Sequence, residues 1–186
     1  IPGEESLRGK GVSHCASCDA PLLRDRPVVV VGGGDSALQE ALTLAGAASQ
    51  VTILHRGDAL SGQAVYRSAV DSHPKIEVRY NAEIEEIIGD GVVSGVRLRG
   101  SGDVIDVDGV FIYVGLRPES DFLAGRLDLT PSGHIPTDGA LQTGLKGVFA
   151  AGTVRAGAPG RAVAAAGDGT LAAISADRYL ADEARP

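Results

Sequence analysis

The sequence predicts an α/β protein: parallel strands in βαβ order, an antiparallel β-meander, and the closing part of a second α/β domain. Three observations predict it. The β-branched run "VVVV" at 28–31 leads into the glycine turn "GGGD" and then a helical stripe. Residues 82–115 switch to short runs broken by Asp-Gly and Ser-Gly turns. The tail beyond Arg117 is turn-rich, then alanine-rich, and too short for a full nucleotide-binding domain.

Taken in order, residues 1–12 carry proline, glycine and charge without periodicity, and read as a linker or hinge. Val28–Val31 suits a strand buried on both faces. The spacing predicts a helix over Ser36–Leu44, with Leu38, Ala41, Leu42 and Ala45 on one stripe and Gly46 as its stop. Val51–Leu54 is the second strand, which makes a βαβ unit with parallel strands. A short helix over Gln63–Val70 and a strand over Ile76–Tyr80 follow. "AEIEEIIGDGVVSGVRLRG" and "DVIDVDGVFIYVG" read as an antiparallel meander that returns through Gly109–Val114 into the main sheet. "GLRPES" breaks the pattern and places a domain junction near Arg117. Beyond it a strand is expected at Val148–Ala151. "RAVAAAGDGTLAAISADRYL" is expected to be a helix interrupted or started around Gly167–Gly169.

Composition narrows the function classes. Hydrophobic residues make up 44% of the 186-residue chain and charged residues 22%, a soluble globular balance. A net charge of −7 argues against a nucleic-acid binder, which needs a basic face. No apolar run approaches the roughly 20 residues of a membrane span. Two cysteines cannot make a secreted disulfide scaffold, so a reducing, cytoplasmic setting is expected. The chain contains no methionine and opens on "IPGEE", from which a natural start further upstream is expected.

Gly32, Gly34 and Ala37 fit G-x-G-x-x-G/A after a strand and before a helix, the context that gives this pattern force and makes the unit Rossmann-like. Gly32 allows the tight turn, Gly34 lets the backbone approach a pyrophosphate, and Ala37 lets helix and strand pack closely. N–H groups at the helix start, where Asp35 and Ser36 stand, favour an anion. An acid usually ends the second strand of an NAD site. Here His55 and Arg56 stand there, which favours the 2′-phosphate of NADPH, with NADH possible and Asp58 close enough to blunt the preference.

The only cysteines, Cys15 and Cys18, lie at i, i+3, within reach of a disulfide, and Asp19 follows directly. A helix start near Cys15 would stabilise its thiolate, and Asp19 could carry a proton during exchange. A closed zinc site needs four ligands, and only these two are clustered. A three-residue staple constrains the unfolded chain little. Redox exchange is favoured, and no metal is expected. His14, His55, His73 and His134 show no ligand spacing, and His73 and His134 are expected in solvent-facing loops.

The ordered motifs "GKGVSHCASCD", "VVVVGGGDSALQEAL", "VTILHRGD", "VFIYVGLRP" and "GVFAAGTV…AAAGDG" closely resemble the low-molecular-weight thioredoxin reductases, within the wider pyridine nucleotide-disulfide oxidoreductases, from Ile1 to about Leu180. The resemblance implies that residues 1–116 form an NAD(P)H-binding domain carrying the Cys-x-x-Cys centre, and residues 117–186 the C-terminal portion of an FAD-binding domain, with the family's first FAD motif upstream of Ile1. It implies FAD and NADPH as cofactors, with Val114, Gly115, Gly152, Thr153, Arg161 and Ala162 among the binding residues. It implies that Cys18 faces the flavin, Cys15 attacks the partner disulfide and Asp19 shuttles the proton, while the two domains rotate. The implied partner is a thioredoxin-like or peroxiredoxin-like protein disulfide, and the implied assembly a homodimer. The sequence departs from the family at Gly57 and Ser61, where further arginines are common, so the 2′-phosphate grip is expected to be looser. It departs again at Thr153, in place of an aspartate, and at Gly160 and Arg161, in place of an Arg-Gln pair. Two other readings stay open: the same scaffold reducing another acceptor, and a non-catalytic nucleotide-binding redox sensor.

Overall fold

A computed structural model of the chain describes residues 1–183; the last three residues of the second predicted domain lie outside the described residues. The chain divides into two compact units, Ile1–Gly115 and the remainder from Leu116 onward.

The first unit is built on a five-stranded parallel sheet and a three-stranded antiparallel sheet. The parallel strands are β1 (Val12–Ser13), β2 (Pro27–Val31), β3 (Gln50–Leu54), β4 (Ile76–Arg79) and β8 (Gly109–Ile112), in the order β1-β8-β2-β3-β4. The antiparallel strands are β5 (Ile84–Gly89), β6 (Val93–Leu98) and β7 (Val104–Asp106). Asp90-Gly91 turns β5 into β6, with Gly91 at φ +77°, a conformation that L side chains resist. The helices are α1 (Ala16–Asp19), α2 (Asp35–Ala45) and α3 (Ala64–Asp71).

The valines of β2 explain the layering, because side chains alternate across a strand. Val28 and Val30 pack with Ala37, Leu38, Ala41 and Leu44 of α2 and with Phe111. Val29 and Val31 pack with Val12, Val110 and the meander residues Ile84, Ile87, Val93 and Val96. Helices therefore cover one face of the parallel sheet and the meander covers the other. The expectation of a strand buried on both faces holds, and each such valine contributes on the order of 1.5–3 kcal/mol. The helical stripe differs slightly: Ala37, Leu38, Ala41, Leu44 and Ala45 are buried, and Leu42 is half-buried.

The predicted linker is more structured than its composition suggests. Leu7 is buried in the core shared with the meander, and the Ile87 N–H donates to the Pro2 carbonyl at 2.9 Å. One buried leucine is enough to anchor a segment of tight turns.

The second unit is smaller in regular structure. A 3₁₀ turn at Gly152–Val154 precedes α4 (Ala162–Glu183). The strand expected at Val148–Ala151 is only an isolated antiparallel bridge between Gln142 and Phe149. The helix is not interrupted at Gly167 or Gly169; its 22 residues run straight through both. Two isolated glycines cost a long alanine-rich helix about 1 kcal/mol each, too little to break it. Leu127, Ile135 and Ala150 form this unit's small buried cluster.

Candidate active site

The parallel sheet brings the predicted site residues of the first unit to one edge. Cys15 follows the C-terminal end of β1, Gly32 that of β2, His55 and Arg56 that of β3, and Val114 and Gly115 that of β8. Strands β1 and β2 flank β8, so the cysteine turn and the glycine turn are separated by two strand spacings, roughly 10 Å of sheet width. Chain order reverses around β2, and ligands of open α/β sheets bind outside such a switch point.

The glycine turn is shaped by its own chain. Gly32 has φ +145°, and a Cβ there would collide with the Tyr113 carbonyl and come within 2.9 Å of the Ala37 Cβ. At Gly33 a Cβ would run into the His55 ring. Gly34 differs: a Cβ would meet nothing nearer than the Ser61 hydroxyl at 3.9 Å, so the space in front of it is open. Gly34 is the N-cap of α2 and has no side chain to satisfy the first turn. The N–H groups of Ser36 and Ala37 therefore point out of the helix start without intrahelical acceptors. The loop after β3 folds back over the turn: Ser61 and Gly62 N–H donate to the Gly33 carbonyl at 2.9 and 3.0 Å. Asp35 accepts from the Gln63 N–H and side-chain amide, both at 2.7 Å. Arg56 is exposed and makes no ion pair among the described residues. Beside this loop lies an open cleft of about 680 Å³ whose lining includes Leu60, Arg67, Asp71 and Tyr80.

Cys15 and Cys18 are joined in a disulfide with Cα atoms 5.3 Å apart. Cys15 is the N-cap of α1, half-buried, and its Sγ accepts the Cys18 N–H at 3.3 Å. Cys18 is exposed, and Asp19, the last residue of α1, is half-buried. Ser13 Oγ accepts the Cys15 N–H at 3.0 Å. His14 places Nδ1 3.3 Å from the Ile112 carbonyl and Nε2 3.5 Å from Glu4. One group here carries no signal in the sequence. The Tyr113 hydroxyl accepts the N–H of Ala16, between the cysteines, at 3.0 Å. Burial pushes that phenol above its usual range; the Ala16 bond opposes this, and the charges of Glu40 and Asp19 add to it. Only the pairing of β1 beside β8 brings Tyr113 under α1.

In the second unit Gly152 has φ +78°, and its N–H donates to Asp168 Oδ2 at 3.1 Å. Arg155 holds the same carboxylate with two bonds, at 2.9 and 3.0 Å, with both side chains under a fifth exposed. Those Arg155 bonds, joined by the Gly152 N–H, hold the Asp168 carboxyl below its usual range against the opposing effect of burial. Thr153 is exposed, as are Arg161 and Ala162 at the start of α4. His73 and His134, expected to face solvent, are half-buried in turns: His73 Nδ1 accepts the Lys75 N–H at 3.2 Å, and His134 Nδ1 is 3.0 Å from the Ser132 hydroxyl. Local turn bonds hold both rings down. Among the described residues no group of three or more His, Cys, Asp or Glu could hold a metal ion, and no helix is long and apolar enough to cross a membrane.

Comparison with known proteins places this geometry. The family model described as pyridine nucleotide-disulphide oxidoreductase matches residues 1–169. A thioredoxin reductase of Peptoclostridium acidaminophilum is 40% identical over 189 residues, covering 96% of this chain and 60% of the relative. One from Mycolicibacterium smegmatis is 42% identical over 188 residues, with 98% and 60% covered. The crystal structure of Lactococcus lactis thioredoxin reductase superposes with a TM-score of 0.90 at 36% identity, covering 98% of this chain and 62% of that one. The chain thus spans about 60% of the length of the curated relatives it matches.

Proposed function

The chain belongs to the pyridine nucleotide-disulphide oxidoreductase family, and from that premise we propose that it serves a flavin-dependent disulfide reductase. Electrons pass from a nicotinamide nucleotide through FAD to the Cys15–Cys18 disulfide, and on to a thioredoxin-like protein disulfide. The observation that carries this reading is the placement of that disulfide on the same sheet edge as the glycine turn, with β8 alone between their strands.

The residues present fit a dinucleotide. The open space at Gly34 is what a pyrophosphate approaching the start of α2 requires. Ser36 and Ala37 N–H would hold the anion, and Arg56 would meet a 2′-phosphate, which favours NADPH. Gly57 and Ser61 add no charge, so NADH remains a weaker alternative. Gly152, Thr153, Arg161 and Ala162 would hold the flavin, Thr153 through a hydroxyl and without charge. When bound, the nicotinamide and flavin would supply the two electrons that the disulfide takes up.

The remaining steps belong to this chain's own groups. Reduction of Cys15–Cys18 takes up two electrons and two protons, and Asp19, directly after Cys18, would carry a proton at the turn. The Cys18 N–H favours the thiolate at Cys15. That thiolate attacks one sulfur of the partner disulfide, forming a mixed disulfide and releasing a partner thiolate. Cys18 then attacks Cys15 Sγ, freeing the reduced partner and restoring the intramolecular disulfide.

Trapping tests the route. Cys18→Ser in the reduced full chain should accumulate a mixed disulfide between Cys15 and an oxidised thioredoxin-like protein, visible by mass spectrometry. Cys15→Ser should not. Equal trapping by both variants, or none by either, would overturn the assignment.

A further inference from the structure

Helix α2 carries a half-buried acid that the proposed electron route does not use. Glu40 is half-buried, yet its Oε2 is shut off from solvent and has no hydrogen-bond partner among the described residues. It lies between Ala37 and Ala41, which pack in one cluster with Ala16 and Ala20 of the cysteine segment and with Tyr113. Helix α1 packs directly on α2. An unpaired buried carboxylate oxygen is costly, so a nearby donor has a strong reason to turn towards it. Tyr113, whose phenol feels the charge of Glu40, is such a donor. Its oxygen already accepts the Ala16 N–H, and among the described residues nothing accepts its own hydrogen.

We propose that Glu40 and Tyr113 are positioning residues for the dithiol. In the proposed arrangement the phenol turns its hydrogen to the Glu40 carboxylate, a bond the structure itself does not contain, while the phenol oxygen keeps the Ala16 N–H, and the negative charge on α2 restrains thiolate formation at Cys15 and Cys18. The pair keeps the Ala16 N–H engaged with the phenol, where it would otherwise be free to stabilise a thiolate. This rests on the reading of Cys15–Cys18 as a redox pair. At the turn itself stand Asp19 on α1 and His14 before it, the latter facing Glu4 and the Ile112 carbonyl. Both are common to every variant compared, so they cancel in the differences.

The test is the pH profile of thiol alkylation. The full chain is reduced with a phosphine and treated with iodoacetamide, and each cysteine is followed by peptide mass. Glu40→Gln and Tyr113→Phe should each lower the midpoint by about half a pH unit, which is about threefold faster alkylation below it. The double variant should move no further than the larger single shift, because the two groups act through one chain of hydrogen bonds. Unchanged midpoints, or shifts that simply add, overturn the proposal. Thermal unfolding checks that each variant is folded. If Glu40→Gln fails to fold, Tyr113→Phe decides alone, and an unmoved midpoint there sinks the idea. The trapping experiment fails or succeeds independently: shifted midpoints with no mixed disulfide would remove the electron route and leave the positioning pair standing.

Discussion

Gly32 and Gly34 occupy equivalent-looking places in one motif, yet glycine is needed at each for a different reason. At Gly32 the need is internal: φ is +145°, and a Cβ would strike the Tyr113 carbonyl. At Gly34 the backbone is ordinary, with φ −88°, and the nearest obstacle to a Cβ is 3.9 Å away. Gly32→Ala should therefore destabilise the chain by about 1–3 kcal/mol, measured by denaturant unfolding. Gly34→Ala should leave that midpoint in place and weaken NADPH binding about tenfold, measured by calorimetric titration. Equal destabilisation by both would show that the room at Gly34 is not kept for a ligand. The motif letters do not separate these roles, since only the position of Tyr113, far along the chain, makes Gly32 tight. Cys15, Cys18 and Asp19 were legible because their spacing is local. Tyr113 and Glu40 were not, because nothing in either's sequence neighbourhood refers to the cysteines.

At the level of elements, short β1 has the largest consequence for the site. Two residues long, it pairs with β8 and sets the cysteine turn at a strand end. So short a strand has no sequence period to detect, and residues 1–12 read as linker for that reason. In the second unit, the Arg155–Asp168 pair ties the turn at Gly152–Val154 to α4. The Asp168 carboxyl is held below its usual range, so its contribution to stability is complete above the unfolded carboxylate range, about pH 4. It is lost as pH falls through the lowered folded value. Thermal unfolding followed against pH should show that loss in the parent chain. Asp168→Asn should be less stable at neutral pH and lack this acid component. An identical acid profile in both would mean that the pair contributes nothing. The uninterrupted α4 belongs at this scale too: among the described residues, a Cβ at Gly167 or Gly169 would meet no atom within 4 Å beyond the adjoining helix backbone, so packing there does not demand either glycine.

The whole molecule holds two units with unequal cores. The first has two extensive buried clusters on opposite faces of its parallel sheet. Among the described residues the second has four buried hydrophobic residues, Leu127, Ile135, Leu141 and Ala150, and α4, for all its length, buries only Ser175. Apolar burial is the main favourable term in folding, so the second unit should open first. Hydrogen exchange should release α4 amides well before those of β2, β3 and β8, and thermal unfolding should not be two-state. One cooperative transition with uniform protection would contradict this. What the sequence by itself determined was local: the βαβ order, the glycine turn, the meander and the cysteine pair, each specified by neighbours within a few residues. What only the tertiary structure decided was adjacency: β1 beside β8, Tyr113 beneath the cysteine turn, α2 against α1, and on α2 Glu40 with an oxygen unpaired among the described residues. Such contacts join residues far apart in the chain through shared burial, and burial leaves no mark on the sequence around any one of them.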